Sequence, residues 1–254
     1  MIEKVGIIGV GHLASYLVEG LRKASENLEI YLSPRNVEKS AYLAERFNAT
    51  VGSDNQEVAD KADMIILSTR SEHAVQVAKD ISFRSGQTVI SVSILPIRAL
   101  SKVIQPADVV RAMPISSAAI NQSPTLLYPD NPKARALISL IGQVHVLQEE
   151  SQFTPASVIA AYYGWIYALL GETIKWTAGT GVPQQIARTL VLETVRSAVN
   201  MSLDQPGKDL GEILATLVTK GGITDQGLKV LRERQGLVAW IEALEVVLRR
   251  LDDS

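Results

Sequence analysis

The stretch Lys4-Val5-Gly6-Ile7-Ile8-Gly9-Val10-Gly11-His12-Leu13-Ala14 sets the architecture that we predict for this chain. Its first five residues are an apolar run typical of a buried parallel strand, and apolar residues at helical spacing follow. Between a strand and a helix, the pattern G-x-G-x-x-A indicates a dinucleotide site, with a tight turn of some other α/β domain as the alternative. Gly9 allows the sharp turn, Gly11 lets a pyrophosphate approach the backbone, and Ala14 lets the helix pack closely on the strand.

The start of this helix supplies the groups that would bind the diphosphate. A helix N-terminus carries N–H groups without intrahelical partners, together with the positive end of the helix dipole. For His12, a hydrogen bond to the pyrophosphate and a solvent-facing ring are both open, and a catalytic role is not expected. The predicted cofactor-binding residues of this turn are Gly9, Gly11, His12, Leu13 and Ala14.

The end of the second predicted strand indicates which dinucleotide is preferred. Leu28-Glu29-Ile30-Tyr31-Leu32 is followed by Ser33-Pro34-Arg35-Asn36, which lacks the acidic residue that usually holds the ribose hydroxyls of NAD. Ser33 can donate a hydrogen bond to a 2′-phosphate, and Arg35 can pair with one. The sequence therefore favours NADPH over NADH, and a solvated loop arginine is the alternative interpretation of Arg35.

Strands and helices alternate as far as residue ~148, which predicts a Rossmann-type, doubly wound α/β sheet. The segment Thr125-Leu126-Leu127-Tyr128 is expected as an edge strand, and Arg111 is interpreted as a member of a structural ion pair. Open α/β sheets bind ligands beyond the carboxyl ends of their strands, so residues at these ends join the predicted cofactor site. These residues are Ser68, Thr69, Ser91, Met113 and Pro114.

After Glu149-Glu150 only helical periodicity is left, with helices predicted over residues 153–178, 183–203, 208–218 and 224–251. The predicted organisation is thus a dinucleotide-binding domain, residues 1–149, followed by an all-α domain, residues 150–254. The helix from Val158 to Trp176 is apolar almost all round and requires burial on every side. We infer a second copy of the chain as its partner, so that the all-α domain serves dimerisation.

Composition excludes several classes of function. The 254 residues carry a formal net charge of −2, so no global field recruits nucleic acid. There is no cysteine, and His73 and His145 lack a second ligand at helical spacing, so no metal site is predicted. The N-terminus does not read as a signal peptide, and the apolar stretch from Val158 to Leu170 is interrupted by Gly164 and too short to cross a bilayer. A cytoplasmic protein without membrane contact is expected.

Several segments together resemble the pyrroline-5-carboxylate reductase family, in order and spacing over nearly the whole chain. Val109-Val110-Arg111-Ala112-Met113-Pro114 matches the V-x-R-x-M-P strand end of the family, and Val89-Ile90-Ser91 matches its strand end over the nicotinamide. Val218-Thr219-Lys220-Gly221-Gly222-Ile223-Thr224 is similar to the loop that holds the substrate carboxylate. The resemblance implies a homodimeric oxidoreductase that reduces 1-pyrroline-5-carboxylate to L-proline with NAD(P)H, a step of proline biosynthesis.

The resemblance also implies a substrate site at this loop. Thr224 would hydrogen-bond the ring nitrogen or the carboxylate, and it is the one residue to which we assign a catalytic contact. The successive N–H groups of Gly221 and Gly222 would form an anion-binding nest, and Lys220 would add a positive charge. The alternatives are a solvated Lys220 and a simple break between helices at the two glycines. Thr224 is also expected to cap the last helix.

Departures from the family pattern leave the substrate open. The family segment Ser-Gly-Ser-Gly-Pro-Ala-Tyr is Ile159-Ala160-Ala161-Tyr162-Tyr163-Gly164-Trp165 here, and its Lys-Pro-Gln is Arg70-Ser71-Glu72. A different imine or carbonyl substrate, or a non-catalytic, regulatory NADP-binding protein, are therefore alternatives. A hydroxyacid or F420-type reductase would need a lysine on the central helix, where the one candidate, Lys175, lies near the helix end.

Overall fold

The computed structural model of the protein describes residues 3–252 and divides them into two compact units. One unit contains the described residues through Ser157 and those from Arg250 onward, and the other is Val158–Arg249. The predicted doubly wound sheet followed by a helical region is confirmed. Residues 1, 2, 253 and 254, which the predicted domain ranges include, lie outside the described residues.

The first unit is built on an eight-stranded sheet. Its strands are β1 (Lys4–Ile8), β2 (Glu29–Leu32), β3 (Thr50–Val51), β4 (Met64–Leu67), β5 (Thr88–Ser91), β6 (Asp108–Met113), β7 (Thr125–Tyr128) and β8 (Val144–Val146). They lie in the order β3-β2-β1-β4-β5-β6-β7-β8, and every neighbouring pair is parallel except the antiparallel pair β6–β7. The prediction of an edge strand at Thr125–Tyr128 is wrong, because β8 pairs with the outer side of β7.

Helices cover both faces of this sheet. They are α1 (His12–Ala24), α2 (Val37–Phe47), α3 (Asn55–Lys61), α4 (Ser71–Lys79), α5 (Ile97–Ile104), α6 (Pro132–Ile138) and α7 (Phe153–Ser157), with short 3₁₀ helices at Ser116–Ile120, Ser139–Ile141 and Glu150–Gln152. Ile7 packs in a core with α1, α2 and α6, while its neighbour Ile8 packs in a second core with α3, α4 and α5. Burial on both faces explains why the strands read as unbroken apolar runs.

The second unit contains helices and no strand among residues 158–249. Its helices are α8 (Ile159–Gly179), α9 (Gln184–Asp204), α10 (Leu210–Leu217), α11 (Ile223–Glu233) and α12 (Gly236–Asp252), the last of which extends beyond the unit. The single helix predicted over residues 224–251 is wrong. The chain breaks after α11, where Gln235 adopts a left-handed conformation with φ of 55°. The helix predicted over 153–178 is likewise divided, at Val158.

The helices of the second unit leave many large apolar side chains exposed. Trp176 is 72% exposed and Leu203 is 73% exposed, although both belong to helices of 21 residues. The apolar stretch that was predicted to be too short to cross a bilayer lies within Glu150–Gly179, which is long and apolar enough to cross a membrane by length and composition. One such helix, 17% buried in this structure, does not by itself indicate a membrane span, because the criterion uses length and composition only.

Candidate functional site

The turn between β1 and α1 combines one crowded glycine with one open glycine. Gly9 has a φ of 96°, and a Cβ added there would lie 2.7 Å from the carbonyl carbon and oxygen of Ser68. Gly11 has extended backbone, and a Cβ added there would meet no atom within 4 Å. The protein therefore requires glycine at residue 9 for its own folding. At residue 11 it leaves space in which a ligand can approach the backbone.

The N-terminus of α1 adjoins this open space. Gly11 is the N-cap of the helix, and no side chain accepts a hydrogen bond there. The first intrahelical donor is Ser15, whose N–H bonds the carbonyl of Gly11, so the N–H groups of His12, Leu13 and Ala14 precede it. Ala14 is fully buried and the His12 side chain is exposed. Three backbone donors at a helix N-terminus suit an anionic group such as a diphosphate.

Two long-range hydrogen bonds tie the loop after β2 to the glycine turn. The N–H of Gly9 donates to Oγ of Ser33 at 3.0 Å, and Nδ2 of Asn36 donates to the carbonyl of Val10 at 3.1 Å. Ser33 is only 2% exposed. The structure thus gives Ser33 a different task from the predicted contact with a 2′-phosphate: its hydroxyl fixes the backbone of the glycine turn. No local pattern indicated these bonds, because they join residues 24 and 26 positions apart.

Arg35 occupies the same loop but is exposed. Within residues 3–252 its guanidinium forms no ion pair and no hydrogen bond. Its charge is therefore available to a ligand held beside the end of β2. The loop from Ser33 to Asn36 contains no carboxylate that would compete for that charge.

The remaining predicted cofactor residues lie where neighbouring strands end. Ser68 follows β4 directly, and its N–H donates to the carbonyl of Ile8 at 2.8 Å. The hydroxyl of the next residue, Thr69, is buried without a hydrogen-bond partner among the described residues. Ser91, the last residue of β5, is buried with its Oγ 2.8 Å from Oγ of Ser93. Met113 ends β6, and the buried Pro114 follows it.

The order of the strands brings these residues to one edge of the sheet. The order reverses between β1 and β4, since α1 packs on one face and α4 packs on the other. Such a switch point, beyond the carboxyl ends of the strands, is where open α/β sheets bind ligands. The glycine turn, the loop after β2 and the ends of β4, β5 and β6 all lie along this edge. The first unit thus has a Rossmann-type, doubly wound sheet whose predicted cofactor residues share one ligand-binding edge.

Arg111 of β6 is a buried cation with a defined partner. Its Nη1 donates to Oε1 of Glu150 at 3.0 Å and its Nη2 donates to the carbonyl of Ile94 at 2.7 Å. Its guanidinium carbon lies 3.9 Å from the centre of the Phe153 ring. Burial lowers the pKa of Arg111, and the carboxylate of Glu150 counteracts that shift. The ion pair predicted for Arg111 is present, whereas no sequence pattern indicated Glu150 as its partner.

The glycine loop of the second unit does not form the predicted anion nest. The N–H of Gly221 donates to Oδ2 of Asp225 at 2.8 Å, and the N–H of Gly222 donates to the carbonyl of Thr219 at 2.8 Å. Both donors are therefore occupied within the loop. The sequence could not indicate this, because it depends on how the carboxylate of Asp225, in the first turn of α11, folds back.

The two side chains predicted to bind substrate are accessible. Lys220 is exposed and forms no ion pair with the described part of the chain. Thr224 is exposed as the second residue of α11, because Gly222 is the N-cap of that helix. The prediction that Thr224 caps the last helix is wrong on both counts, since α12 follows α11. A hydroxyl and an ammonium group are thus presented within one short segment.

Aromatic side chains fill the start of α8, where the family pattern has small residues. The ring of Trp240, in α12, lies edge-on to Tyr162 at 5.5 Å and to Trp165 at 6.3 Å between centroids. Tyr163 and Tyr167 share a hydrogen bond of 2.8 Å between their hydroxyls. These contacts agree with the interpretation of the aromatic residues as packing groups.

Comparison with known families matches the two parts of the chain separately. Residues 4–94 match the family described as NADP oxidoreductase coenzyme F420-dependent, and residues 150–253 match the family described as pyrroline-5-carboxylate reductase dimerisation. Among individual proteins, pyrroline-5-carboxylate reductase 2 of Bacillus subtilis is 26% identical over 98% of this chain and 94% of its own length. The pyrroline-5-carboxylate reductase of Escherichia coli is 23% identical over 96% of this chain and 95% of its own length.

Solved structures give a similar result. A 1-pyrroline-5-carboxylate reductase from Streptococcus pyogenes superposes with a TM-score of 0.87 at 26% identity, covering 99% of this chain and 98% of the other. A pyrroline carboxylate reductase from Plasmodium falciparum, solved with NADP bound, has a TM-score of 0.86 at 20% identity, covering 98% and 97%. At that identity the second comparison establishes a shared fold.

Proposed function

The chain belongs to the pyrroline-5-carboxylate reductase family, and from this premise we propose that it reduces 1-pyrroline-5-carboxylate to L-proline in the cytoplasm. It is an oxidoreductase that acts on a C=N bond with a nicotinamide dinucleotide. The observation that carries the proposal is the open space at Gly11 beside three unpaired N–H groups at the start of α1. These features fit the diphosphate of such a cofactor.

The cofactor and the protein have separate roles in this reaction. When bound, the cofactor supplies the hydride. The protein must hold the two reactants face to face, about 3–3.5 Å apart, and exclude competing orientations. Gly9, Gly11, His12, Leu13 and Ala14 hold the diphosphate in this proposal, and residues 1–149 act as the dinucleotide-binding domain. The residues at the ends of β4, β5 and β6 form the wall beside the nicotinamide half.

We place NADPH ahead of NADH because of Arg35. Its guanidinium is exposed and unpaired within the described residues, and a 2′-phosphate is the group of NADPH that it can bind with charge-assisted hydrogen bonds. The buried hydroxyl of Ser33 then contributes indirectly, through its bond to Gly9.

The substrate carboxylate, in this proposal, is bound at the loop before α11. Lys220 supplies the charge, and Thr224 contacts the ring nitrogen or the carboxylate. The occupied N–H groups of Gly221 and Gly222 then shape the loop and do not bind the anion directly.

We expect Thr224→Val to lower kcat/KM by roughly tenfold, the value of one hydrogen bond to a charged group, and Thr224→Ser to retain activity. Steady-state kinetics measures both, and equal losses in the two variants would exclude a role for the hydroxyl.

In this proposal a second copy of the chain buries the exposed apolar residues of the helical unit. We assign residues 150–254 to dimerisation and substrate binding, and we attribute the exposed apolar residues of α8 and α9 to the subunit contact and not to a membrane. A homodimer that stays in solution without detergent is the expected state.

A direct assay tests the proposed reaction. Purified protein with NADPH and 1-pyrroline-5-carboxylate should consume the cofactor, as measured by absorbance, and form proline, as measured by mass spectrometry. A panel of other cyclic imines and of carbonyl compounds serves as the control for substrate identity. Turnover with another member of the panel, and none with 1-pyrroline-5-carboxylate, would replace the substrate while retaining the reaction type.

A non-catalytic role is the second candidate, and one observation favours it. Tyr162 and Trp165 pack against Trp240 at the start of α8, in place of the small residues of the family pattern. A substrate pocket shaped by glycines is therefore altered. Tight binding of NADPH without turnover of any compound in the panel would support a regulatory protein that senses the cofactor.

A further inference from the structure

The ion pair of Arg111 and Glu150 holds a backbone segment at both ends. Arg111 is 2% exposed and donates through Nη2 to the carbonyl of Ile94. Oε1 of Glu150, which accepts from Arg111, also accepts the N–H of Ile97 at 2.7 Å. Ile97 is the first residue of α5, and its N-cap, Pro96, offers no side-chain acceptor. Residues 94–97 are thus fixed on one side by the guanidinium and on the other by the carboxylate.

This segment lies beside the nicotinamide half of the proposed cofactor site. It follows Ser91, the last residue of β5, at the carboxyl edge of the sheet. In a doubly wound sheet each half binds one mononucleotide, and the loop after β2 belongs to the adenosine half. The half formed by β4, β5 and β6 therefore faces the nicotinamide, and residues 92–96 connect its middle strand to α5.

Stability alone does not account for a charged pair at this place. A well-packed apolar residue of similar size stabilises a core as well as a buried guanidinium, or better, because the guanidinium of Arg111 loses its hydration, whereas the side chain of Glu150 stays 32% exposed. Nε of Arg111 is buried and has no hydrogen-bond partner within residues 3–252, which adds to that cost. The pair supplies something that apolar side chains cannot, namely directed hydrogen bonds to the carbonyl of Ile94 and the N–H of Ile97.

We propose that Arg111 and Glu150 are positioning residues, which fix the segment between β5 and α5 as the wall against which the nicotinamide half of the cofactor lies. The proposal rests on the proposed function, since it assigns a cofactor to this edge of the sheet. Neither residue touches the reacting atoms. Their effect is on the orientation of the nicotinamide ring, where a displacement of 1 Å can reduce a rate by about a hundredfold.

Three variants of the full-length protein separate positioning from mere stabilisation. Glu150→Gln keeps an acceptor for the N–H of Ile97 but loses the charge, and Arg111→Lys keeps the charge but loses the forked pair of donors. Gln87→Leu is the matched control, because Gln87 is a buried polar residue before β5, at the opposite edge of the sheet, and donates to the carbonyls of Ala59 and Ala62. Urea unfolding, the Kd of NADPH, the fluorescence of the bound nicotinamide and kcat are measured for each.

The proposal expects Glu150→Gln and Arg111→Lys to lower kcat by about tenfold or more and to change the bound nicotinamide fluorescence, with the Kd of NADPH altered less than about threefold. Gln87→Leu should lose stability and retain kcat and fluorescence. Unchanged kcat and fluorescence in the first two variants would overturn the positioning role while the proposed function stood. If the wild-type protein binds NADPH but turns over no imine, the fluorescence of the bound nicotinamide still tests whether Arg111 and Glu150 position it. If it binds no NADPH, both proposals fail.

Discussion

At the scale of single residues, the two glycines of the β1–α1 turn serve the protein in opposite ways. Gly9 is crowded by the backbone of Ser68, whereas Gly11 faces open space. The pattern G-x-G-x-x-A treats both as parts of one signature. The structure separates a glycine at residue 9, where a Cβ would clash, from a glycine at residue 11, where a Cβ would meet no atom within 4 Å.

Substitution of each glycine should therefore give different phenotypes. We expect Gly9→Ala to lower the free energy of unfolding by about 2 kcal/mol or more, because of its left-handed backbone and the clash with Ser68. Gly11→Ser should change stability by no more than about 0.5 kcal/mol, since serine is a good N-cap. It should nevertheless weaken NADPH binding by roughly tenfold or more through overpacking against the diphosphate. Urea denaturation and calorimetric titration measure the two effects, and a strongly destabilised Gly11→Ser would contradict the assignment.

Ser33 and Arg35 offer a second contrast, in cofactor choice. Arg35→Ala should weaken NADPH binding by about tenfold and leave NADH binding within about twofold, because only NADPH carries the 2′-phosphate. Ser33→Ala should weaken both cofactors by similar factors, since it leaves the N–H of Gly9 without an acceptor. Titration of each variant with both nucleotides is the measurement. If Ser33→Ala weakened the binding of NADPH alone, the result would support a direct contact between the Ser33 hydroxyl and the 2′-phosphate.

At the scale of helices and strands, periodicity predicts most of the first unit and fails at specific places. The runs at β1 and β4 are apolar because both faces of the sheet are covered, and this leaves a clear signal. The sequence of β7 does not show whether the strand lies at the edge of the sheet. Its alternating pattern, with Thr125 and Leu127 on the buried face, is expected for any strand that is covered on one face. The Ser33–Gly9 bond could not be predicted either, nor could the identity of Glu150 as the partner of Arg111, since each contact joins residues far apart in the sequence.

The break between α11 and α12 is the clearest failure of periodicity. Apolar spacing continues through Gln235, a residue compatible with a helix, although its φ of 55° ends α11. Gln235→Gly should raise the free energy of unfolding by about 0.5–1 kcal/mol, because glycine adopts this conformation without steric cost. Gln235→Ala is the matched control and should give no gain. Denaturation curves of the wild type and the two variants measure the free energy of unfolding, and an increase in the alanine variant would indicate a continuous helix.

At the scale of the whole molecule, the two units differ in how well each buries its own apolar residues. The sheet unit has two closed cores, whereas α10, α11 and α12 contain no buried residue among those described. A helical unit of this kind depends on a partner for its hydrophobic burial.

Charge introduced on the helical unit should therefore disrupt assembly. We expect Trp176→Glu and Leu203→Glu to shift the protein from dimer to monomer in light scattering, because each places a carboxylate in the apolar contact. Tyr42→Glu alters a residue of α2 that is also exposed and aromatic, and it should remain dimeric. A monomeric wild-type protein, or dimers in both helical variants, would exclude this surface as the subunit contact.

The apolar surface of α8 and α9 also has a thermodynamic consequence. If the second unit completes its core only in the dimer, unfolding is linked to dissociation, and the midpoint of denaturation depends on the protein concentration. A tenfold dilution would then remove about 1.4 kcal/mol from the free energy that separates the folded dimer from two unfolded chains. Dilution would then affect the helical unit before the sheet unit. Turnover, which needs both units, would fall with concentration, while the affinity for the cofactor would change less.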